Sequence, residues 1–266
     1  MFLNPTTPML LTPIFLIKLC LTPLLMWGVS VAAKKWGTFW GGLLSGLPLT
    51  SGVILTFLAV EQGAGFTQHA ILGAIPGLAA VMAAYWTYVC CSKRYAMWLT
   101  GLAALAAFVL MSLLLTRLHT LALDGVLLLV SMAVIIRKTG REYRAQTLIV
   151  KRNPWDLPLR MGASTALLLL ITSAAPHLGS IVSGVLATIP VIAWPLTLFT
   201  HAQYGRNEML TVVRGNAIGA LGVLGFYAVM YALLPHWHLL PVVLAAAVIS
   251  VALPLLLSAG LKRVAV

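Results

Sequence analysis

The chain has 266 residues, of which 61% are hydrophobic and only 8% charged, and its formal net charge is +12. Soluble domains carry about a quarter charged residues, so the composition describes a polytopic membrane protein. It leaves no room for a separate soluble catalytic domain, because the longest polar connection, residues 137–157, is too short to fold by itself. The basic excess sits in short loops between apolar runs, where it orients a chain in the bilayer instead of gripping nucleic acid.

Apolar runs close to the twenty or so residues that cross ~30 Å of hydrocarbon occur at 10–33, 38–60, 68–91, 96–116, 120–136, 158–177, 179–200, 210–234 and 238–260. These predict an all-α protein with about nine transmembrane helices. The stretch before the first run, MFLNPTTPMLL, lacks the basic region of a cleaved signal, so the run is expected to stay as a helix; it carries Lys18. The second run holds GGLLSGLPLTSG (residues 41–52), with four glycines, Pro48 and the hydroxyls of Ser45, Thr50 and Ser51. A proline inside a helix removes a hydrogen bond and crowds the preceding turn, so this span is expected to be broken. The fifth run is the shortest and holds Asp124. The sixth carries Arg160 near its start, and the seventh, GSIVSGVLATIPVIAWPL, repeats the broken pattern with Ser183, Thr188 and Pro190.

If all nine runs cross, Lys34-Lys35, Lys93-Arg94, residues 137–152, Arg206 and Lys262-Arg263 fall on one side, and Arg117 alone falls on the other. The positive-inside rule then predicts an outside N-terminus and a cytoplasmic C-terminus.

Adding 142 to each position aligns the chain with itself without gaps: Lys18 falls on Arg160, Gly42 on Gly184, Pro48 on Pro190, Phe57 on Phe199, Gly63 on Gly205, Gly73 on Gly215, Gly77 on Gly219 and Tyr85 on Tyr227. The pattern predicts a first four-helix repeat (1–117), a connecting helix with a basic loop (118–157) and a second four-helix repeat (158–266). An odd number of spans from one repeat to its copy makes the pair inverted. Interrupted spans at matching positions of inverted halves are the best sequence pointer to a transporter's binding site. The candidate solute-binding residues are therefore Lys18, Arg160, Ser45, Pro48, Thr50, Ser51, Ser183, Thr188 and Pro190.

Two readings compete at these residues. Small residues four apart also let membrane helices pack closely. Lys18 and Arg160 either line a cavity, where two cations would suit an anionic solute or a lipid phosphate, or snorkel to an interface. Asp124 is either a proton-coupling carboxylate or a solvated helix start. Tyr85 and Tyr227 read as belt or packing aromatics. Cys20, Cys90 and Cys91 are odd in number and sit in or beside apolar runs, so they give no disulfide framework. No catalytic set, metal-ligand spacing or cofactor motif stands out, and no enzyme is expected.

The spacing of Lys18, Gly42 and Pro48, repeated at Arg160, Gly184 and Pro190, with the stretches LIK, GLLSGLP and SGVLATIP, resembles the small bacterial inner-membrane proteins of the GlpM type. Those are single four-helix units, so the resemblance implies a fused double of such a unit. The expected function is a transporter or flippase for a small or lipid-linked anionic solute, with membrane lipids around it. The alternatives are a passive ion channel, or a non-transporting subunit held by a homo-oligomer or an envelope-synthesis complex. Fluoride channels share antiparallel four-helix units, but their phenylalanine-rich motif is not matched by ILTFLAV or PLTLFTH.

Overall fold

The computed structural model describes residues 13–118, 121–142 and 155–264, with the side chains of 13–19, 121, 141–142, 171–178 and 261–264 outside that description. The described residues form nine helices and no strand: α1 (Pro13–Trp36), α2 (Thr38–Ser45), α3 (Ser51–Cys91), α4 (Met97–Leu118), α5 (Leu121–Glu142), α6 (Asp156–Leu178), α7 (Ser180–Ala187), α8 (Ala193–Leu233) and α9 (Leu239–Val264). Four of them are long and apolar enough to cross a bilayer: α3, α4, α8 and residues 239–260 of α9.

These helices do not divide the chain as the nine predicted spans do. The predicted spans 38–60 and 179–200 are not continuous helices. Each is an eight-residue helix, a five-residue break and the start of a 41-residue helix. The cause is local: a proline disfavours helical geometry at the residue before it, and Pro48 and Pro190 follow the ends of α2 and α7 closely. The chain turns sharply at each proline, Leu49 N–H donating to Leu47 O at 2.7 Å and Val191 N–H to Ile189 O at 2.8 Å.

Further joints fall at glycines. Gly37 (φ 96°) joins α1 to α2, Gly179 (φ 78°) joins α6 to α7, and Gly63 (φ 86°) and Gly205 (φ 82°) kink α3 and α8. With ψ near 170° these are conformations that only glycine adopts without strain. Each joint and each of the helices α1–α3 recurs 142 residues later with its bounds shifted by at most one residue. Connector α5 runs to Glu142, six residues past the predicted apolar span, because polar Arg137–Glu142 can continue a helix beyond hydrocarbon.

The packing crosses between the two halves of the chain. Helix α2 lies on α8 and α7 lies on α3; α4 covers α3 and α9 covers α8; α1 packs on α6; and α5 touches both α3 and α8. The crossings are backbone to backbone. A Cβ on Gly42 would strike the Val212 carbonyl oxygen, and one on Gly184 the Ala70 carbonyl oxygen; Gly215 and Gly73 meet the facing helices as closely. This close approach is the small-residue packing of membrane helices. At the start of α2 the Thr38 hydroxyl donates to Glu208 Oε2 at 2.6 Å, a polar tie in the same crossing. The outer faces of α4 and α9 expose leucines, with Leu110 at 68%, Leu240 at 70% and Leu256 at 69%. Such faces suit lipid, where a soluble fold would be polar.

Candidate functional site: a cavity between the two helix breaks

The two breaks meet around one cavity of about 40 Å³, room for roughly three waters at ~10–15 Å³ each. Its wall is built from matching positions. Gly46 and Thr188, Ser51 and Ala193, Leu78 and Ala220, Val81 and Val223, and Tyr85 and Tyr227 all line it, and the members of each pair are 142 residues apart. Ser45, Thr50, Pro190, Met82 and Asn216 complete most of the rest of the lining.

Three polar atoms in this wall are buried without a partner: Tyr85 Oη, Tyr227 Oη and Asn216 Nδ2. Their residues are 1%, 0% and 2% exposed. Thr197 is close to the first hydroxyl and Ser51 to the second, in neither case with the geometry of a hydrogen bond. A buried polar group left unsatisfied costs about 1–3 kcal/mol, and three of the seven such atoms among the described residues belong to residues of this one wall.

The amide of Asn216 has two arrangements. Ser45 Oγ lies 2.9 Å from Asn216 Oδ1 and 3.0 Å from Gly42 O, yet a hydroxyl has one proton for these two acceptors. Turning the amide over lets Asn216 N–H donate to Ser45 Oγ while Ser45 donates to Gly42 O, and the amide oxygen is then the atom without a partner. The hydrogen-bond pattern decides between amide oxygen and nitrogen. The site thus offers either a donor or an acceptor at Asn216, beside two phenols that do both.

An aromatic shell backs one wall. The Trp194 ring lies 6.1 Å from Tyr85 and 6.0 Å from Tyr88, and Tyr88 Oη is 2.9 Å from His201 Nδ1.

The residues singled out from sequence divide among several places. Ser45, Thr50, Ser51, Thr188 and Pro190 line the cavity. The Thr188 hydroxyl is committed to Val185 O at 2.6 Å. Pro48 shapes the break, its carbonyl accepting from Gly52 N–H at 2.9 Å. Ser183 is buried away from the cavity with its hydroxyl on Gly179 O. Gly42 and Gly184 pack helices, while Ser45, Thr50, Ser51, Thr188 and Pro190 beside them form part of the cavity wall.

Arg160 does not line the cavity. Its Nε donates to Asp156 Oδ1 at 2.7 Å, one Nη reaches Gln203 Oε1 at 3.4 Å, and the guanidinium lies over Phe199 at 5.5 Å. Lys18 belongs to α1, and its side chain lies outside the described residues. Asp124 is buried in the first turn of α5 with Oδ1 unpartnered, away from the cavity, and is not a solvated helix start. Sequence reasoning passed over Asn216, and gave Tyr85 and Tyr227 a packing role. The signal for the tyrosines was present, since they are a matched aromatic pair at the repeat offset. Asn216 falls on Ala74, so nothing in the repeat marked it. No family model, no curated protein and no solved structure matches the chain.

Proposed function

We propose that this chain is a transporter of the bacterial inner membrane, a carrier and not an enzyme, that moves a small solute through the cavity between its two broken helices. The observation that carries the reading is the cavity itself, built from five pairs of residues at one offset and holding three unsatisfied polar atoms. Two four-helix repeats inserted in opposite senses, the GlpM-like ancestry of each, and an outside N-terminus with a cytoplasmic C-terminus all belong to this proposal. In such a pair each half reproduces the other facing the opposite compartment, which is the basis of alternating access about a central site. Broken backbone at membrane depth is tolerated where it is buried in protein or lines a cavity, and both breaks here do. Arg160 is held in an ion pair and is not a lining residue, so among the described residues recognition falls to hydroxyls and an amide; this favours a carrier over a flippase that grips lipid phosphate with cations.

The test is access. With Cys20, Cys90 and Cys91 replaced by serine, Thr50→Cys and Thr188→Cys should each react with a membrane-impermeant thiol reagent, with a side preference that shifts when a transported solute is added. Failure of both to react from either side in a folded protein would overturn the reading. Orientation has its own test: a reporter active only in the cytoplasm should work when fused after Val266 and stay silent when inserted at Gln62, and the opposite result would reverse the topology.

A further inference from the structure

The cavity is symmetric in position and asymmetric in chemistry. The wall formed by the first break and α8 carries Ser45, Thr50, Ser51, Asn216 and Tyr227. At the same offset the other half of the chain has Ala187, Ile192, Ala193 and Ala74, keeping only Tyr85 from that set. The wall formed by the second break and α3 presents Leu78, Val81, Met82, Pro190 and Ala193 beside a single phenol, Tyr85, and its one aliphatic hydroxyl, on Thr188, is used on Val185 O. None of the described lining side chains carries a charge.

We infer that the cavity binds an uncharged amphiphile of a few heavy atoms in one orientation, its polar end on Asn216, Tyr227 and the hydroxyls of Thr50 and Ser51 and its apolar end on Leu78, Val81 and Ala193. The inference rests on the proposed reading that the cavity is the solute site, and narrows that reading to a neutral solute class. An ionised ligand would be stripped of water with no counter-charge among the described lining residues, which is far costlier than burying a neutral polar group that finds hydrogen bonds. A ligand with one polar end meets Asn216 and Tyr227, two of the three orphaned groups, and leaves on the other wall only the Tyr85 hydroxyl, which has Thr197 beside it. A site built to hydrogen-bond a ligand group rejects analogues that cannot supply it.

The probes are three compounds of nearly equal size: butyramide, butyrate and butylammonium. They are titrated against the purified full chain in lipid nanodiscs, and binding is read from the fluorescence of Trp194, which touches Tyr85, as the difference from a Trp194→Phe protein. Butyramide should give a saturable change, with butyrate and butylammonium at least about tenfold weaker. Asn216→Leu should weaken butyramide about tenfold or more, and Tyr227→Phe, which removes one oxygen and keeps the ring, by about threefold or more. Equal or tighter binding of either ion, no saturable change with any of the three, or butyramide binding unaltered in Tyr227→Phe would each overturn the inference. Proteoliposome flux separates the two levels. Neutral binding without flux keeps the site and sinks the transporter reading; flux of an anion that Thr50→Cys labelling blocks keeps the transporter reading and sinks the neutral site.

Discussion

Gly184→Ala should unfold the protein at a markedly lower temperature than the native chain, although it adds a single methyl group. The new Cβ would fall on the carbonyl oxygen of Ala70, with Ala74 N 3.0 Å away. These are backbone atoms of a facing helix, so neither can rotate aside, and relief requires α7 and α3 to separate along their whole crossing. Overpacking a well-packed interior costs about 1–3 kcal/mol, and a backbone clash belongs at or above the top of that range. Gly28→Ala is the control, because a Cβ there meets nothing within 4 Å and alanine is the better helix former by about 1 kcal/mol. Thermal unfolding of both variants in the same detergent checks the claim. Equal midpoints would mean that the two helices do not approach as closely as described.

Asp156→Ala should be comparably damaging for an electrostatic reason. Arg160 and Asp156 are 4% and 5% exposed and joined at 2.7 Å. Removing one partner of a buried pair leaves an uncompensated charge and costs about 3–5 kcal/mol, whereas replacing both by apolar residues is often close to neutral. The double variant Asp156→Leu with Arg160→Met should therefore recover most of the loss, and reversible unfolding of the two single variants and the double one measures it. If Asp156→Ala changes stability by less than about 1 kcal/mol, the guanidinium reaches water or lipid headgroups and the pair is an ordinary surface one.

Much of the architecture was legible in the sequence because it is written in residues with few substitutes. Gly37, Gly63, Gly179 and Gly205 sit where φ is positive, and Pro48 and Pro190 where a helix must stop. Both kinds of position are dictated by the backbone, so they recur 142 residues apart and expose the offset. The exchange of helices between halves was not legible. An apolar face on α2 is the same pattern whether it packs on α3 or on α8, and only the distances at Gly42 and Gly215 distinguish the two. The site was half legible for a related reason. Ser45, Thr50 and Ser51 stand beside a proline and draw notice, while Asn216 is an isolated amide in mid-helix whose meaning depends on Ser45, 171 residues away. Arg160 misled as a lone cation in an apolar run, because its partner Asp156 sat in what read as a loop and in fact opens α6.

The exchange of α2 and α7 also sets an order on synthesis. When α2 leaves the ribosome, the surface its glycines fit is still unmade, since Thr38 must wait for Glu208, 170 residues later. Until then the first half holds a short helix with a bare backbone stripe, in a membrane with no water to cover it. Final assembly is thus a late, all-at-once event in which each half closes the other. A nascent chain stalled after α5 would present an open groove, the kind of surface that invites a mismatched partner or a protease.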